Sequence, residues 1–158
     1  MSLQGATGRS VESLVREHWV TYGRNYYTRH DYEGVAVDAA NNLMADLRSA
    51  LPGLPGQRFG ARSITLADDF AYADPVDKSI SKAQGIRLIF DDGARVIFRL
   101  SGTGTEGATL RLYLERYESD PALQDVPVQL ALHDLAVLAD QVAAIARHTG
   151  MDGPSVAT

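Results

Sequence analysis

The residues 101–108, Ser101-Gly102-Thr103-Gly104-Thr105-Glu106-Gly107-Ala108, are almost all small, hydroxyl-bearing or flexible. Glycines permit positive φ and close backbone approach, and consecutive N–H groups in such turns form a concave anion nest. The hydroxyls of Ser101, Thr103 and Thr105 add rotatable donors. Arg99 precedes the run and Arg111 follows it. A guanidinium is always charged and presents a planar fork that matches phosphate oxygens, so two of them converging on hydroxyls and amides suit a phosphate dianion. Between Arg95 and Arg111 the sequence holds three arginines and one glutamate, a local positive excess in a chain of net charge -5. A long surface loop whose arginines merely solvate a sheet has the same composition.

The flanking segments must be strands for these side chains to converge. Val96, Phe98 and Leu100 share one face of the preceding segment, leaving Arg95, Ile97 and Arg99 on the other. Thr109 to Tyr117 alternates likewise, with Leu110, Leu112 and Leu114 inward and Arg111 outward; such alternation marks a sheet with one buried face. Ile86 to Phe90 and Arg95 to Leu100 flank Asp91-Asp92-Gly93-Ala94, a hairpin signal. Ile64 with Leu66, and Phe70 to Ala73, read as two further short strands. Eight residues between strands exceed an economical hairpin, so 101–108 reads as a loop.

Helical spacing occurs three times. Val11, Leu14, Val15, His18, Trp19 and Tyr22 form one stripe, capped by Ser10, that needs something to pack on. Ala36, Ala40, Leu43, Leu47 and Leu51 form a second between Glu33 and Leu51, stopped by Pro52, Gly53, Pro55 and Gly56, with Asp31 as a start signal. Leu135, Leu138, Ala139, Val142 and Ile145 form the last. Gly23 to Tyr32 reads as a linker or edge strand whose aromatics dock, and Gly150 to Thr158 as a tail. The expected fold class is α+β, helices covering one face of an antiparallel sheet.

With 158 residues, 45% hydrophobic and 22% charged, the chain holds one core or at most two. Its net negative charge disfavours nucleic acid as a partner. The absence of cysteine removes disulfides, thiolate metal sites and cysteine nucleophiles and fits a reducing compartment. The first six residues have neither a basic nor an apolar region of a secretory signal, and no apolar run reaches the ~20 residues that span a bilayer. The expectation is a cytoplasmic protein with no membrane partner.

Arg99-Leu100-Ser101-Gly102-Thr103-Gly104-Thr105-Glu106-Gly107-Ala108-Thr109-Leu110-Arg111-Leu112-Tyr113 closely resembles the phosphate-binding loop of the C-terminal domain of phosphoglucomutases, within the α-D-phosphohexomutase superfamily. Tyr22 to Glu33 resembles the lead-in to that domain, and Asp74 to Arg87 the segment ahead of its central strands. The resemblance runs from about Val11 to the end and is weakest at Pro52 to Gly60. It implies a TATA-binding-protein-like α+β domain. By motif position Arg99, Ser101, Gly102, Thr103 and Arg111 would grip the phosphate that is not at the reacting position, with Gly104 and Thr105 completing the set. Gly-Thr followed by Gly resembles the glucose-phosphate branch; phosphomannomutase-like relatives usually place Glu-Pro directly after Gly-Thr.

The family interconverts glucose 1-phosphate and glucose 6-phosphate, which implies Mg²⁺ and glucose 1,6-bisphosphate for the full-length enzyme. Its phosphoserine, metal and sugar-orienting motifs (Thr-Ala-Ser-His, Asp-Gly-Asp-Gly-Asp, Gly-Glu-Glu-Ser) do not occur here. This reads as a C-terminal fragment without catalytic residues or metal ligands, whose partners are a sugar phosphate and preceding domains of the same polypeptide. Residues 1–10 read as an expression remnant or tail, 11–32 as a linker helix and lead-in, and 33–158 as the sugar-phosphate-binding domain. A stand-alone module that binds a phosphorylated ligand or a protein partner is the alternative. His18 reads as a packed or partly exposed residue, His30, His133 and His148 lack ligand-like spacing for zinc, and Asp91 with Asp92 reads as turn chemistry.

Overall fold

The computed structural model describes residues 8–73, 75–104 and 107–158, with the side chains of 72, 73, 81–84, 103 and 104 excepted. Its elements in chain order are α1 (Val11–Tyr22), β1 (Arg24–Val35), α2 (Val37–Ala50), β2 (Arg58–Phe59), β3 (Arg62–Ala73), β4 (Ile80–Phe90), β5 (Arg95–Gly104), β6 (Gly107–Glu118), α3 (Val128–Ala131), α4 (His133–Ala143), α5 (Ile145–Thr149) and β7 (Val156–Ala157), with short 3-10 turns at Leu51–Gly53 and Pro121–Leu123. The strands form one sheet in the order β2-β3-β4-β5-β6-β1-β7, and every pairing is antiparallel. This is the α+β class expected from the periodicity.

One face of the sheet is the core. Ile86, Leu88, Phe90, Val96, Phe98, Leu110, Leu112 and Leu114 are all essentially buried, and they meet Leu43, Met44 and Leu47 of α2 and Leu135, Leu138 and Ala139 of α4. Full burial of such a side chain stabilises by roughly 1.5–3 kcal/mol, so the two-residue period fixes which way each strand faces. Tyr26 and Tyr32 dock on this side, and the Tyr26 hydroxyl donates to the Leu123 carbonyl at 2.6 Å. The opposite face carries Arg29, Arg99 and Arg111.

The Asp91–Ala94 turn forms as expected: Phe90 N–H donates to the Ala94 carbonyl, Gly93 takes φ +80°, and the Asp92 carboxylate accepts from the Ala94 N–H. Ser10 caps α1 through the Ser13 N–H at 3.1 Å.

Several local expectations are corrected. Asp31 starts no helix; it lies inside β1, whose ten pairings with β6 override the local signal, and α2 begins at Val37 without a side-chain cap. Ala36 is exposed and Met44 buried, because the helix is rotated to present 40, 43, 44 and 47. The α1 stripe buries no residue. Ile64–Leu66 and Phe70–Ala73 belong to one strand, β3, with irregularities between Ile64 and Leu66 and between Phe70 and Tyr72. The last helix is interrupted at Ala144, which takes φ +47°. Residues 150–158 do not hang free: β7 pairs with β1, Thr158 and Arg29 exchange backbone hydrogen bonds, and the Ser155 N–H donates to the Asp31 carbonyl.

Candidate phosphate-binding site

The segment expected as an eight-residue loop is mostly sheet. Strand β5 continues to Gly104 and β6 starts at Gly107, with Ser101 opposite Thr109 and Gly104 opposite Gly107. The three-residue step on β5 against two on β6 is a bulge, and Gly102 inside it takes φ +64°, which glycine adopts without strain. At Gly107 a Cβ would come within 3.1 Å of the Val35 carbonyl, so the hairpin packs against the end of β1. Thr105 lies outside the described residues, and the side chain of Thr103 is likewise not described.

Below the bulge, Arg99 and Arg111 are direct cross-strand partners, and Asp31 on β1 is the partner of Arg111 on its other side. Residues in register point to one face, so the three share the open face, with the Ser101–Thr109 rung above them. The same row continues on β4 at Gly85, the neighbour of Arg99, which pairs with Phe70 of β3 on its other side; a Cβ there would lie 2.7 Å from Arg99 Cγ and 2.7 Å from the Phe98 carbonyl oxygen. Glycine makes room for the Arg99 stem. Both expected arginines therefore stand side by side on one face from separate strands, next to the Ser101–Thr109 rung.

Electrostatics set this rung apart. At two other rungs of the open face an arginine stands opposite a carboxylate: Arg87 makes a two-pronged contact with Asp68 at 3.0 and 2.7 Å, and Arg95 Nε donates to Glu115 at 2.7 Å. At the Arg99–Arg111 rung like charges face each other, an arrangement that costs stability. Arg99 is exposed and makes no hydrogen bond or ion pair with any described residue.

Two residues that the sequence reading did not assign to the site, Arg29 and Asp31, lie beside this rung. Arg29, one rung away on β1, lies 3.0 Å from Asp31 Oδ1 through its Nε, and Arg111 Nε lies 3.9 Å from the same oxygen. Asp31 is 4% exposed, a buried carboxylate on a face that is otherwise open. The signal was available: in Thr28-Arg29-His30-Asp31-Tyr32 the charged residues alternate with those facing the core, a strand pattern obscured by the turn-like Gly23 and the helix-start value of Asp.

Other candidates lie away from this face. His30 is buried and bonds Gln129 at 2.9 Å, His18 stacks on Tyr22 with ring centroids 4.8 Å apart, and His148 lies 3.3 Å from Asp46. A cavity of about 390 Å³ beside α4 is lined by His30, Tyr32, His133 and Asp140; burial, assisted by Asp140, pushes the Tyr32 phenol up. Arg62 on β3 bridges Asp92 at 2.6 Å and Asp134 of α4. Burial acts to raise the Asp134 carboxyl, but the Arg62 guanidinium and the Leu135 N–H outweigh it and hold Asp134 below the usual carboxylate range. Among the described residues no group of three His, Asp or Glu is placed to hold a metal ion, and no helix is long and apolar enough to cross a membrane.

Residues 24–155 match the family described as Phosphoglucomutase-1, C-terminal domain. The chain is 54% identical over its full length to a phosphoglucomutase of Rhizobium radiobacter, covering 29% of that protein, and 49% identical over 94% of its length to a probable cytoplasmic phosphoglucomutase of Arabidopsis thaliana, covering 27%. It is also similar to the open form of pp63/parafusin, a Paramecium phosphoglucomutase, with a TM-score of 0.79 and 41% identity over 94% of this chain and 25% of that one. The chain thus spans less than a third of the length of these relatives. The chain belongs to the phosphoglucomutase C-terminal domain family.

Proposed function

We propose that this domain clamps the non-reacting phosphate of a glucose phosphate for a phosphoglucomutase that interconverts glucose 1-phosphate and glucose 6-phosphate in the cytoplasm. The observation that carries the reading is the Arg99–Arg111 rung, where the sheet places two guanidiniums opposite each other on the face where Arg87 and Arg95 each stand opposite a carboxylate. A bound dianion removes the repulsion, and charge-assisted bidentate bonds are the strong ones. The Ser101 hydroxyl and the backbone donors of residues 101–104 orient the phosphate in the bulge. Thr105 belongs to this proposal by its place in the sequence.

A phosphate held away from the reacting centre supplies binding energy that drives domain closure and water exclusion around the reacting phosphate. Mg²⁺ and glucose 1,6-bisphosphate join the proposal through the family alone. Among the described residues no group of three His, Asp or Glu is placed to hold the ion, and the sequence has no cysteine. The phosphoserine, metal and sugar loops are assigned to preceding parts of the polypeptide.

Titration of the 158-residue chain with glucose 6-phosphate tests the clamp. With one wall of the site present and the sugar unheld, affinity is expected on the order of millimolar, about -4 kcal/mol. Amide shifts should concentrate at 99–104 and 107–111; shifts centred on the tyrosines of β1 would move the site elsewhere.

A further inference from the structure

Asp31 is costly where it stands. A carboxylate in the open face beside a phosphate site repels the ligand, and burying it carries a desolvation penalty that only well-placed partners offset. Its backbone is fixed on both sides, by pairing with Arg111 on β6 and with Val156 on β7, where the Ser155 N–H donates to its carbonyl. Its Oδ1 faces the Nε atoms of two arginines, Arg29 at 3.0 Å and Arg111 at 3.9 Å. Neither contact has hydrogen-bond geometry, and all three atoms are buried without another partner. The terminal nitrogens of both guanidiniums make no hydrogen bond to any described residue.

Resting on the clamp reading above, we infer that Asp31 is a positioning residue, which tethers Arg111 and Arg29 by their Nε edges so that their terminal forks stay turned to the phosphate. Without it, three cations on neighbouring strands would splay into solvent. With it, Arg29, Arg99 and Arg111 against one carboxylate retain two positive charges, the complement of a phosphate dianion. The Nε contacts become hydrogen bonds when the forks are drawn onto the ligand, which couples anion binding to the order of the tether.

Removing the carboxylate separates position from charge, because the two act with opposite sign. Asp31→Asn makes the site more positive. An electrostatic bystander would give tighter binding of glucose 6-phosphate, whereas a tether predicts weaker binding, by about threefold or more, since misplaced forks lose bidentate geometry. The titration is read on the 158-residue chain by amide shifts at 99–111, and the dispersion of core amides reports that the variant is folded. Unchanged or tighter binding by folded Asp31→Asn overturns the proposal. A second readout needs no variant: in the wild-type chain the Arg29 and Arg111 Nε–H resonances should exchange with water more slowly than that of Arg99, and more slowly still with glucose 6-phosphate. Equal exchange at all three overturns it. If the wild type binds but these tests fail, the tether falls and the clamp stands; if the wild type shows no shift at 99–111, both fall.

Discussion

Arg111 and Arg99 carry the same charge at mirrored positions of a hairpin, so replacing either by lysine tests geometry rather than charge. Lysine lacks the planar fork. Arg111→Lys in an enzyme that carries this domain is expected to lower kcat/KM about tenfold or more, since charge-assisted bidentate bonds contribute roughly 1.5–3 kcal/mol. Stability should barely change, because Arg111 faces away from the core made by Leu110, Leu112 and Leu114. Intact kinetics together with a Tm lowered by several degrees would make the arginine structural. Gly85 offers a complementary test. A Cβ there meets the Phe98 carbonyl, which cannot swing aside, as well as the Arg99 stem. Gly85→Ala is therefore expected to cost about 1–3 kcal/mol in urea denaturation and to weaken glucose 6-phosphate binding by displacing Arg99. A variant as stable as the wild type would show that β4 yields.

The elements hold the site through edges and corners as much as through the core. The β5–β6 hairpin projects Ser101 and Gly102 beyond the rung of arginines, and the two-residue β7 secures β1 from outside. At the corner where β3, the Asp91–Ala94 turn and α4 meet, Arg62 bridges Asp92 and Asp134. Because the folded chain holds the Asp134 carboxyl below its usual range, this carboxylate stabilises the fold above its unfolded value, near 3.9, and the contribution is lost as pH falls through the lowered folded value. Asp134→Asn should cost about 0.5–1 kcal/mol at neutral pH, the scale of a half-exposed pair screened by water. The difference from wild type in urea midpoint should shrink as the pH drops below about 4. A gap that persists unchanged at pH 2 would assign the loss to packing instead.

At the scale of the whole molecule, the proposed function makes this chain one wall of a catalytic cleft. Phosphoryl transfer needs a nucleophile and stabilisation of developing charge, and the sequence holds none of the family's motifs for either. The pure chain is expected to show no conversion of glucose 1-phosphate to glucose 6-phosphate in a coupled assay; a rate proportional to its concentration would refute the division of labour proposed here. In the complete enzyme, small-angle scattering should register compaction when a non-hydrolysable bisphosphate analogue bridges the clamp and the reacting centre. An unchanged radius of gyration would count against closure.

The facing of the strands, the α+β class and the placement of Arg99 and Arg111 on one face of the sheet were legible because each rests on local information. A period of two assigns Leu110, Leu112 and Leu114 to one face and Arg111 to the other wherever the strand sits in the sheet. The Asp-Asp-Gly-Ala turn is decided by its own backbone requirements. What lay beyond the sequence depended on partners remote along the chain. Gly23 to Tyr32 reads as either a linker or an edge strand, with a helix-start signal at Asp31, and pairing with β6, some eighty residues away, and with β7 makes it a strand bonded on both sides. The terminal residues read as a tail because an edge pairing of two residues leaves no periodicity to detect. The Asp31 carboxylate between Arg29 and Arg111 is the same kind of fact, since register between β1 and β6 is set by burial of the opposite face and brings together charges that no spacing within either strand predicts.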